Sequence, residues 1–310
     1  MFEFPGITDS VAAQQWRQVL GASKFAQRLC QQQGEMVVAL QASGDLLSSY
    51  NEHDCHARLS ALLADCDSRD ELGVRLRQFR QREILRILWR DFTRAAATME
   101  TTRDMSLLAE ACIAQALDFL HRELVTQYGE PLDEAGQPQQ MLVLAMGKLG
   151  ARELNLSSDI DLIFAFPDAG ETDGRRALSN EQFFTRLGQK LNKSLNTLTA
   201  DGFVFRVDMR LRPFGESGPL AASFDFMETY YQSQAREWER YAMIKARPVA
   251  GDRAAGAELM AMLRPFVYRR YIDFGAVESL REMKRMISAN LYDKGMDANV
   301  KLGPGGIREI

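Results

Sequence analysis

The chain has 310 residues, of which 46% are hydrophobic and 26% charged, and its formal net charge is −4. This length allows two or three domains, and the slightly acidic balance argues against a nucleic-acid partner, which usually requires a basic domain. No apolar run approaches the roughly 18 residues of a membrane span, so no membrane association is expected. The four cysteines show no CxxC spacing and the first residues do not resemble a secretory leader. We therefore expect a cytoplasmic location.

Residues 1–103 are predicted to form an N-terminal helical region. In ELGVRLRQFRQREILRILWRDF, apolar residues recur at helical spacing and arginines lie on the opposite face. The apolar set is Leu72, Leu76, Phe79, Ile84, Ile87 and Phe92, and the arginine set is Arg75, Arg82, Arg86 and Arg90. The simplest interpretation is a solvated arginine face above a packed stripe, and the alternative is a docking surface for an acidic partner.

A second long helix is predicted over residues 105–128. Asp104 can serve as its N-cap, and Gly129 can occupy the C′ position with Pro131 just beyond it. The polar segment that follows, GEPLDEAGQPQQ, is rich in glycine and proline and is predicted to be a loop.

The middle of the chain alternates between strand and helix patterns. The predicted elements are strands over 141–146, 159–166 and 201–213, a connecting turn over 147–158 and a helix over 180–199. Together with the preceding helix, this order indicates an α+β sheet module over residues 104–250, embedded in a mainly helical chain.

Residues after Gly218 are predicted to be helical. One helix is expected to end before Pro248, since the residue before a proline is disfavoured in the helical conformation. A C-terminal helical region is expected over 251–310. The last ten residues, KLGPGGIREI, stop in what reads as the middle of an element, so the chain is expected to be a truncated part of a longer protein.

Two aspartates stand at the start of the second predicted strand. Positions i and i+2 of a strand lie on one face, so the carboxylates of Asp159 and Asp161 are expected to repel each other unless a cation lies between them. Asp208, on the third predicted strand, is the candidate third ligand. We expect Asp159, Asp161 and Asp208 to be both metal-binding and catalytic, with Mg²⁺ as cofactor, because this ion prefers oxygen ligands and substrate phosphates.

A glycine turn and several polar side chains supply candidate phosphate contacts. Glycines directly after a strand allow backbone amides to approach a phosphate closely, although the turn lacks the GxxxxGK[ST] pattern of a P-loop. Strand alternation predicts that Arg206, Arg210 and Arg212 share the face of Asp208, where they can neutralise phosphate oxygens. The candidate phosphate- and nucleotide-binding residues are Gly147, Lys148, Ser157, Ser158, Arg210 and Arg212.

These features resemble the polymerase-β-type nucleotidyltransferase fold, in which a glycine turn precedes a DxD strand and a third Asp lies on a later strand. Gly147-Lys148 stands where that superfamily usually has Gly-Ser. More narrowly, MGKLGARELNLSSDIDLIF, FRVDMRLRPFGESGPL, REWERYAMIKARPV and KLGPGGIRE resemble the glutamine-synthetase adenylyltransferase family. Gly305, Gly306, Arg308, Glu309 and Ile310 match the start of a further family motif.

The resemblance implies a specific activity. That family carries two nucleotidyltransferase modules, and GESGPL and WERYAMIKAR resemble the N-terminal one. This module removes AMP from the modified tyrosine of glutamine synthetase by phosphorolysis and releases ADP, whereas the C-terminal module attaches AMP from ATP. The implied partners are glutamine synthetase, the PII signalling protein, and phosphate, ADP and ATP.

Two alternatives to AMP removal follow from the same residues. The first is a nucleotidyltransferase that works in the opposite direction, from ATP to a protein tyrosine, or on another acceptor. The second is a non-catalytic helical scaffold whose aspartates bind a regulatory nucleotide or ion.

Overall fold

The computed structural model describes residues 10–268, 274–293, 299, 300, 303 and 305. The predicted motif at Gly306, Arg308, Glu309 and Ile310 therefore lies outside the described residues. Among the helices that are described, none is both long enough and apolar enough to cross a lipid bilayer.

Helices dominate both ends of the described chain, and short strands occupy its middle. The helices are α1 (Ser10–Ala22), α2 (Lys24–Gln32), α3 (Gly34–Ala42), α4 (Asp54–Leu62), α5 (Arg69–Phe92), α6 (Thr98–Tyr128), α7 (Gly147–Gly150), α8 (Asn180–Asn196), α9 (Phe224–Ser233), α10 (Glu237–Met243), α11 (Arg253–Val267) and α12 (Phe274–Asp293). The strands are β1 (Pro131–Asp133), β2 (Leu142–Met146), β3 (Ile160–Phe166), β4 (Gly170–Thr172), β5 (Val207–Asp208), β6 (Ala221–Ser223) and β7 (Arg247–Ala250). This arrangement confirms the α+β fold class.

The first helical region is built on α5 and α6. Helix α5 begins at an N-cap, Ser68, whose hydroxyl accepts a hydrogen bond from the amide of Glu71. Its apolar stripe is buried as predicted: Leu72 and Leu76 are fully buried and Phe79 nearly so. Helices α1, α2 and α3 pack against the later turns of α5 in a small core of their own, whereas the apolar residues of α4, α5 and α6 belong to a core that they share with the sheet.

The prediction of a solvated arginine face on α5 is wrong for two of its four arginines. Arg86 is fully buried and Arg90 almost fully. Arg86 donates to Glu83 at 2.9 Å and to Asp104 at 2.6 Å, and its guanidinium lies 3.6 Å from the centre of the Tyr50 ring. Burying an unpaired charge is very costly, so the buried Arg86 is paired with two carboxylates, Glu83 and Asp104, which are buried as well.

The same ion pair explains why the predicted start of α6 is wrong. The helix begins at Thr98, six residues before the expected N-cap, and Asp104 lies buried in its second turn. Its carboxylate neutralises Arg86 and also accepts from Arg103, rather than capping a helix end. The domain boundary predicted between residues 103 and 104 consequently falls inside a continuous helix.

A five-stranded mixed sheet forms the centre of the molecule. Its strand order is β5-β3-β2-β7, with β6 also paired to β3. Alternate residues of β2 face opposite layers: Val143 and Ala145 belong to the core beneath α6 and α8, whereas Leu144 and Met146 belong to the core beneath α9 and α11. Burial on both faces explains why this strand reads as a continuous apolar run.

Strands β2 and β3 and helix α8 confirm the predicted elements, but two later segments do not. The strand predicted over 201–213 shrinks to Val207–Asp208. The single helix expected to run up to Pro248 is divided into α9 and α10, which end at Ser233 and Met243, and Pro248 itself lies in β7, opposite Leu144. Since β7 is an edge strand, a proline there costs few ladder hydrogen bonds. The segment GEPLDEAGQPQQ, predicted to be a loop, contains β1, which pairs with β4.

Candidate active site

The strand register brings two of the three predicted aspartates together. Strand β5 runs parallel to β3, with Asp208 directly beside Asp161. Neighbouring residues in register on adjacent strands project from the same face of a sheet. Asp159 precedes β3 by one residue and lies exposed at the same end. The sheet therefore places all three carboxylates, which are up to 49 positions apart in the chain, at a single edge.

The electrostatics of this edge differ from one aspartate to the next. Burial, followed by the negative charges of Asp208 and Asp159, raises the pKa of Asp161 from 3.8 to about 6. Asp208 changes in the opposite direction, since its hydrogen bonds from Arg210 hold its pKa below the usual range. Asp161 is thus the carboxylate whose charge is least compensated by the protein, and a nearby cation would relieve the repulsion.

Two of the three predicted arginines bind the carboxylates directly. The Nε atom of Arg206 donates to Asp159 at 2.5 Å, and its Nη2 atom donates to the carbonyl of Ser157. Arg210 donates to both oxygens of Asp208, with its Nε atom 2.9 Å from Oδ2. Exposed guanidinium groups at these positions can exchange a carboxylate for a phosphate oxygen.

Arg212 has different partners. Its guanidinium donates to the carbonyl oxygens of Met209, Glu216 and Gly218, which fixes the loop after β5. The prediction that Arg212 shares a face with Asp208 fails because β5 ends at Asp208, so strand alternation does not continue beyond it. A phosphate contact of Arg212 stays a prediction and would have to use the N–H donors that these three bonds leave over.

The predicted glycine turn lies against Asp161. Gly147 has φ +55°, and a Cβ atom at this position would lie 3.0 Å from the Oδ2 atom of Asp161. Glycine is therefore required both by the backbone conformation and by the close approach of the carboxylate. The next residue, Lys148, donates from Nζ to the hydroxyl of Ser158 at 3.1 Å. The ammonium group of Lys148 thus connects the glycine turn to Ser158, the residue that precedes Asp159.

Asn155 is a site residue that the sequence analysis missed. Its Oδ1 atom accepts hydrogen bonds from the Ser158 hydroxyl at 2.7 Å and from the Ser157 amide at 3.3 Å. A short asparagine that bonds to backbone two residues further on is typical of an Asx turn, so the signal was present in NLSS. The turn fixes the hydroxyl of Ser158, whereas the Ser157 side chain lies exposed beside it.

The oxygen donors of the three aspartates suit a magnesium ion, although their side chains are not arranged around a common point. Within the part of the chain that is described, no three His, Cys, Asp or Glu side chains stand in the arrangement of an assembled metal site. Asp159 and Asp208 are instead paired with Arg206 and Arg210. The available atoms are nevertheless all carboxylate oxygens at one half-buried edge, where burial and, after it, the neighbouring carboxylates raise the pKa of Asp161.

Comparisons with known proteins identify relatives of this chain. The family model for glutamate-ammonia ligase adenylyltransferase matches residues 13–262. The bifunctional glutamine synthetase adenylyltransferase/adenylyl-removing enzyme of Pseudomonas aeruginosa is 57% identical over 95% of this chain, and that of Thioalkalivibrio sulfidiphilus is 50% identical over 100% of it. The chain spans only 30% and 32% of the length of these two enzymes. The chain therefore belongs to the glutamate-ammonia ligase adenylyltransferase family.

Proposed function

We propose that this chain removes AMP from the modified tyrosine of glutamine synthetase by phosphorolysis. The observation that carries the proposal is the parallel register of β3 and β5, which places Asp161 beside Asp208 and against Gly147. The relatives' names include both adenylyl transfer and adenylyl removal. Removal is favoured because GESGPL and WERYAMIKAR resemble the module of the family that catalyses it.

In the proposed reaction, an oxygen of inorganic phosphate attacks the α-phosphorus of the tyrosyl-AMP group. The new bond joins the phosphate oxygen to that phosphorus, and the bond from phosphorus to the tyrosine oxygen breaks. ADP leaves, and the tyrosine oxygen takes up the proton that the attacking hydrogen phosphate gives up. Atoms and charge balance without an oxidant or reductant, so the protein's task is positioning and charge stabilisation.

The residues of the site divide this task. Lys148 and the hydroxyl of Ser158 lie next to each other and are suited to hold the incoming phosphate, with the exposed Ser157 side chain beside them. Arg206 and Arg210 are exposed enough to contact the phosphoryl oxygens once they leave Asp159 and Asp208. Asp159, Asp161 and Asp208 would hold Mg²⁺, which when bound supplies Lewis-acid stabilisation of the transferring phosphoryl group.

The proposal extends to partners and location. Glutamine synthetase is the protein named in the relatives' titles, and we propose its adenylylated form as the substrate. The PII signalling protein, implied by the family resemblance, is proposed as a regulatory partner. All four cysteines lie in the described residues as free thiols, which fits the reducing cytoplasm that we propose as its location.

The test uses adenylylated glutamine synthetase, phosphate and Mg²⁺, with ADP as the readout. We expect ADP from the wild-type chain and none from the Asp159→Asn or Asp161→Asn variants, which should remain folded. A parallel reaction offers unmodified glutamine synthetase and ATP and measures pyrophosphate. Pyrophosphate without ADP would show transfer in the opposite direction, and nucleotide binding without either product would show a scaffold; both results contradict the proposal.

A further inference from the structure

Arg247, at the start of the edge strand β7, donates hydrogen bonds to the end of the glycine turn. Its Nε atom is 3.0 Å from the carbonyl oxygen of Gly150, and its Nη2 atom is 3.1 Å from that of Leu149. These carbonyls belong to the last residues of the one-turn helix α7, and helix ends leave carbonyl groups for other donors. The Leu149 carbonyl also accepts from the Arg152 amide at 3.0 Å, so the arginine adds to the backbone bonds at the end of α7.

The guanidinium of Arg247 also forms an ion pair with helix α6. Both oxygens of Glu110, on helix α6, accept from Arg247, one of them at 3.2 Å. The fixed fork of an arginine can bind a carboxylate and two carbonyls at once, which an ammonium group cannot. Arg247 thus ties the glycine turn to α6, the helix that packs against β7. In the chain, Arg247 is 97 positions from Gly150 and 137 positions from Glu110.

Close packing on the other side leaves the turn little freedom. A Cβ atom at Gly150 would lie 1.8 Å from the carbonyl oxygen of Lys245 and 2.6 Å from that of Ala145. The turn is held between the backbone leading into β7 and the backbone of β2. Arg247 holds the carbonyl end of this turn, and the other end of the turn, at Gly147, lies against Asp161.

Arg247 lies on the opposite face of the sheet from the carboxylates. Its register partner is Ala145, which belongs to the core beneath α6 and α8. The register partner of Asp161 is Met146, which belongs to the core beneath α9 and α11. Because successive strand residues project to opposite faces, Arg247 is separated from a substrate bound at Asp161 by the sheet itself.

We propose that Arg247 is a positioning residue that sets the glycine turn, and with it Gly147 and Lys148, for phosphate binding. This inference rests on the proposed function, because the phosphate is the attacking substrate of that reaction. Arg247 acts through the turn and not by contact with the substrate. A displaced turn would weaken the use of phosphate without affecting recognition of the adenylylated protein.

The test compares Arg247→Met, Arg247→Lys and Glu52→Gln. Loss of the guanidinium should raise KM for phosphate about tenfold, the effect of one charge-assisted hydrogen bond, and leave KM for adenylylated glutamine synthetase unchanged. The lysine variant can still pair with Glu110, so it should recover thermal stability but not the KM for phosphate. The control replaces the exposed carboxylate of Glu52, which pairs with Arg152, by an amide of the same shape and should behave as wild type.

Hydrogen exchange provides a readout that needs no turnover. The amides of Ala151, Arg152 and Glu153 donate to carbonyls within the turn, and they should exchange faster in Arg247→Met but not in Glu52→Gln. Unchanged exchange in Arg247→Met would overturn the inference. So would faster exchange in that variant with an unaltered KM for phosphate. An Arg247→Lys variant that recovers both the thermal stability and the KM for phosphate would also overturn it. If the wild-type chain releases no ADP, the proposed function fails, and exchange alone decides whether Arg247 holds the turn.

Discussion

Replacing Asp161 by asparagine should stabilise the metal-free protein while removing its activity. The change keeps the shape of the side chain and deletes one of three crowded negative charges. An acid whose pKa rises from 3.8 to about 6 on folding is destabilising at pH 8 by at most about 3 kcal/mol. Because Asp161 is only half-buried, solvent screening lowers this figure to roughly 1–2 kcal/mol.

The sign of the effect sets its pH dependence. The destabilisation is present where the carboxylate is ionised in both states, above the folded-state pKa. It declines as the pH falls through about 6 and disappears below the ordinary value of 3.8, where both states are protonated. The free-energy advantage of the asparagine variant should therefore be largest at pH 8 and vanish near pH 4.

Urea unfolding in EDTA, followed by circular dichroism, measures this difference. Saturating Mg²⁺ should then stabilise the wild-type protein by mass action and narrow its gap to the variant. Asp168→Asn, at an exposed position after β3, is the control and should change neither quantity. An Asp161→Asn variant that is less stable than wild type in EDTA would refute the claim that this carboxylate is electrostatically crowded.

Three further predictions concern packing and thiol reactivity. Asp104→Ala should lower the free energy of unfolding by about 3 kcal/mol or more, because it leaves the buried Arg86 with one carboxylate instead of two; a loss below about 1 kcal/mol in urea titration would argue against that ion pair. Gly150→Ala should destabilise the protein and abolish ADP release, since its Cβ would overlap two carbonyl oxygens, whereas Gly34→Ala has open space and should fold normally in a thermal melt. Cys66 should be the first thiol to react with Ellman's reagent in the native protein, because the other three are buried and their pKa values are raised by that burial; simultaneous reaction of all four would contradict this order.

The parts of the fold that the sequence predicts well are those with a strong local pattern. Strands β2 and β3 are continuous apolar runs bounded by turn residues, and α8 has a capping serine followed by apolar residues at helical spacing. The spacing of Asp159 and Asp161 also requires no long-range information. Asp208 could be chosen as the third carboxylate because a strand pattern, although overextended, surrounded it.

The features that escaped prediction depend on partners far away in the chain. Nothing near Arg86 indicates that Asp104, on another helix, will draw it into the core. The pattern over 201–213 alternates well, yet only two residues find a neighbouring strand to pair with. Pro248 locally indicates the end of a helix, whereas in the fold it lies in strand β7, which pairs with β2. Local pattern therefore located the carboxylates, and tertiary pairing determined what holds the turn beside them.

The central claim is that phosphate attacks the AMP group at the edge formed by β3 and β5. The most direct measurement supplies adenylylated glutamine synthetase with Mg²⁺ and ¹⁸O-labelled phosphate and examines the nucleotide product by mass spectrometry and ³¹P NMR. We predict ADP that carries the label in its β-phosphoryl group, and no product from the Asp161→Asn variant. Release of AMP, or of ADP without the label, would contradict the account.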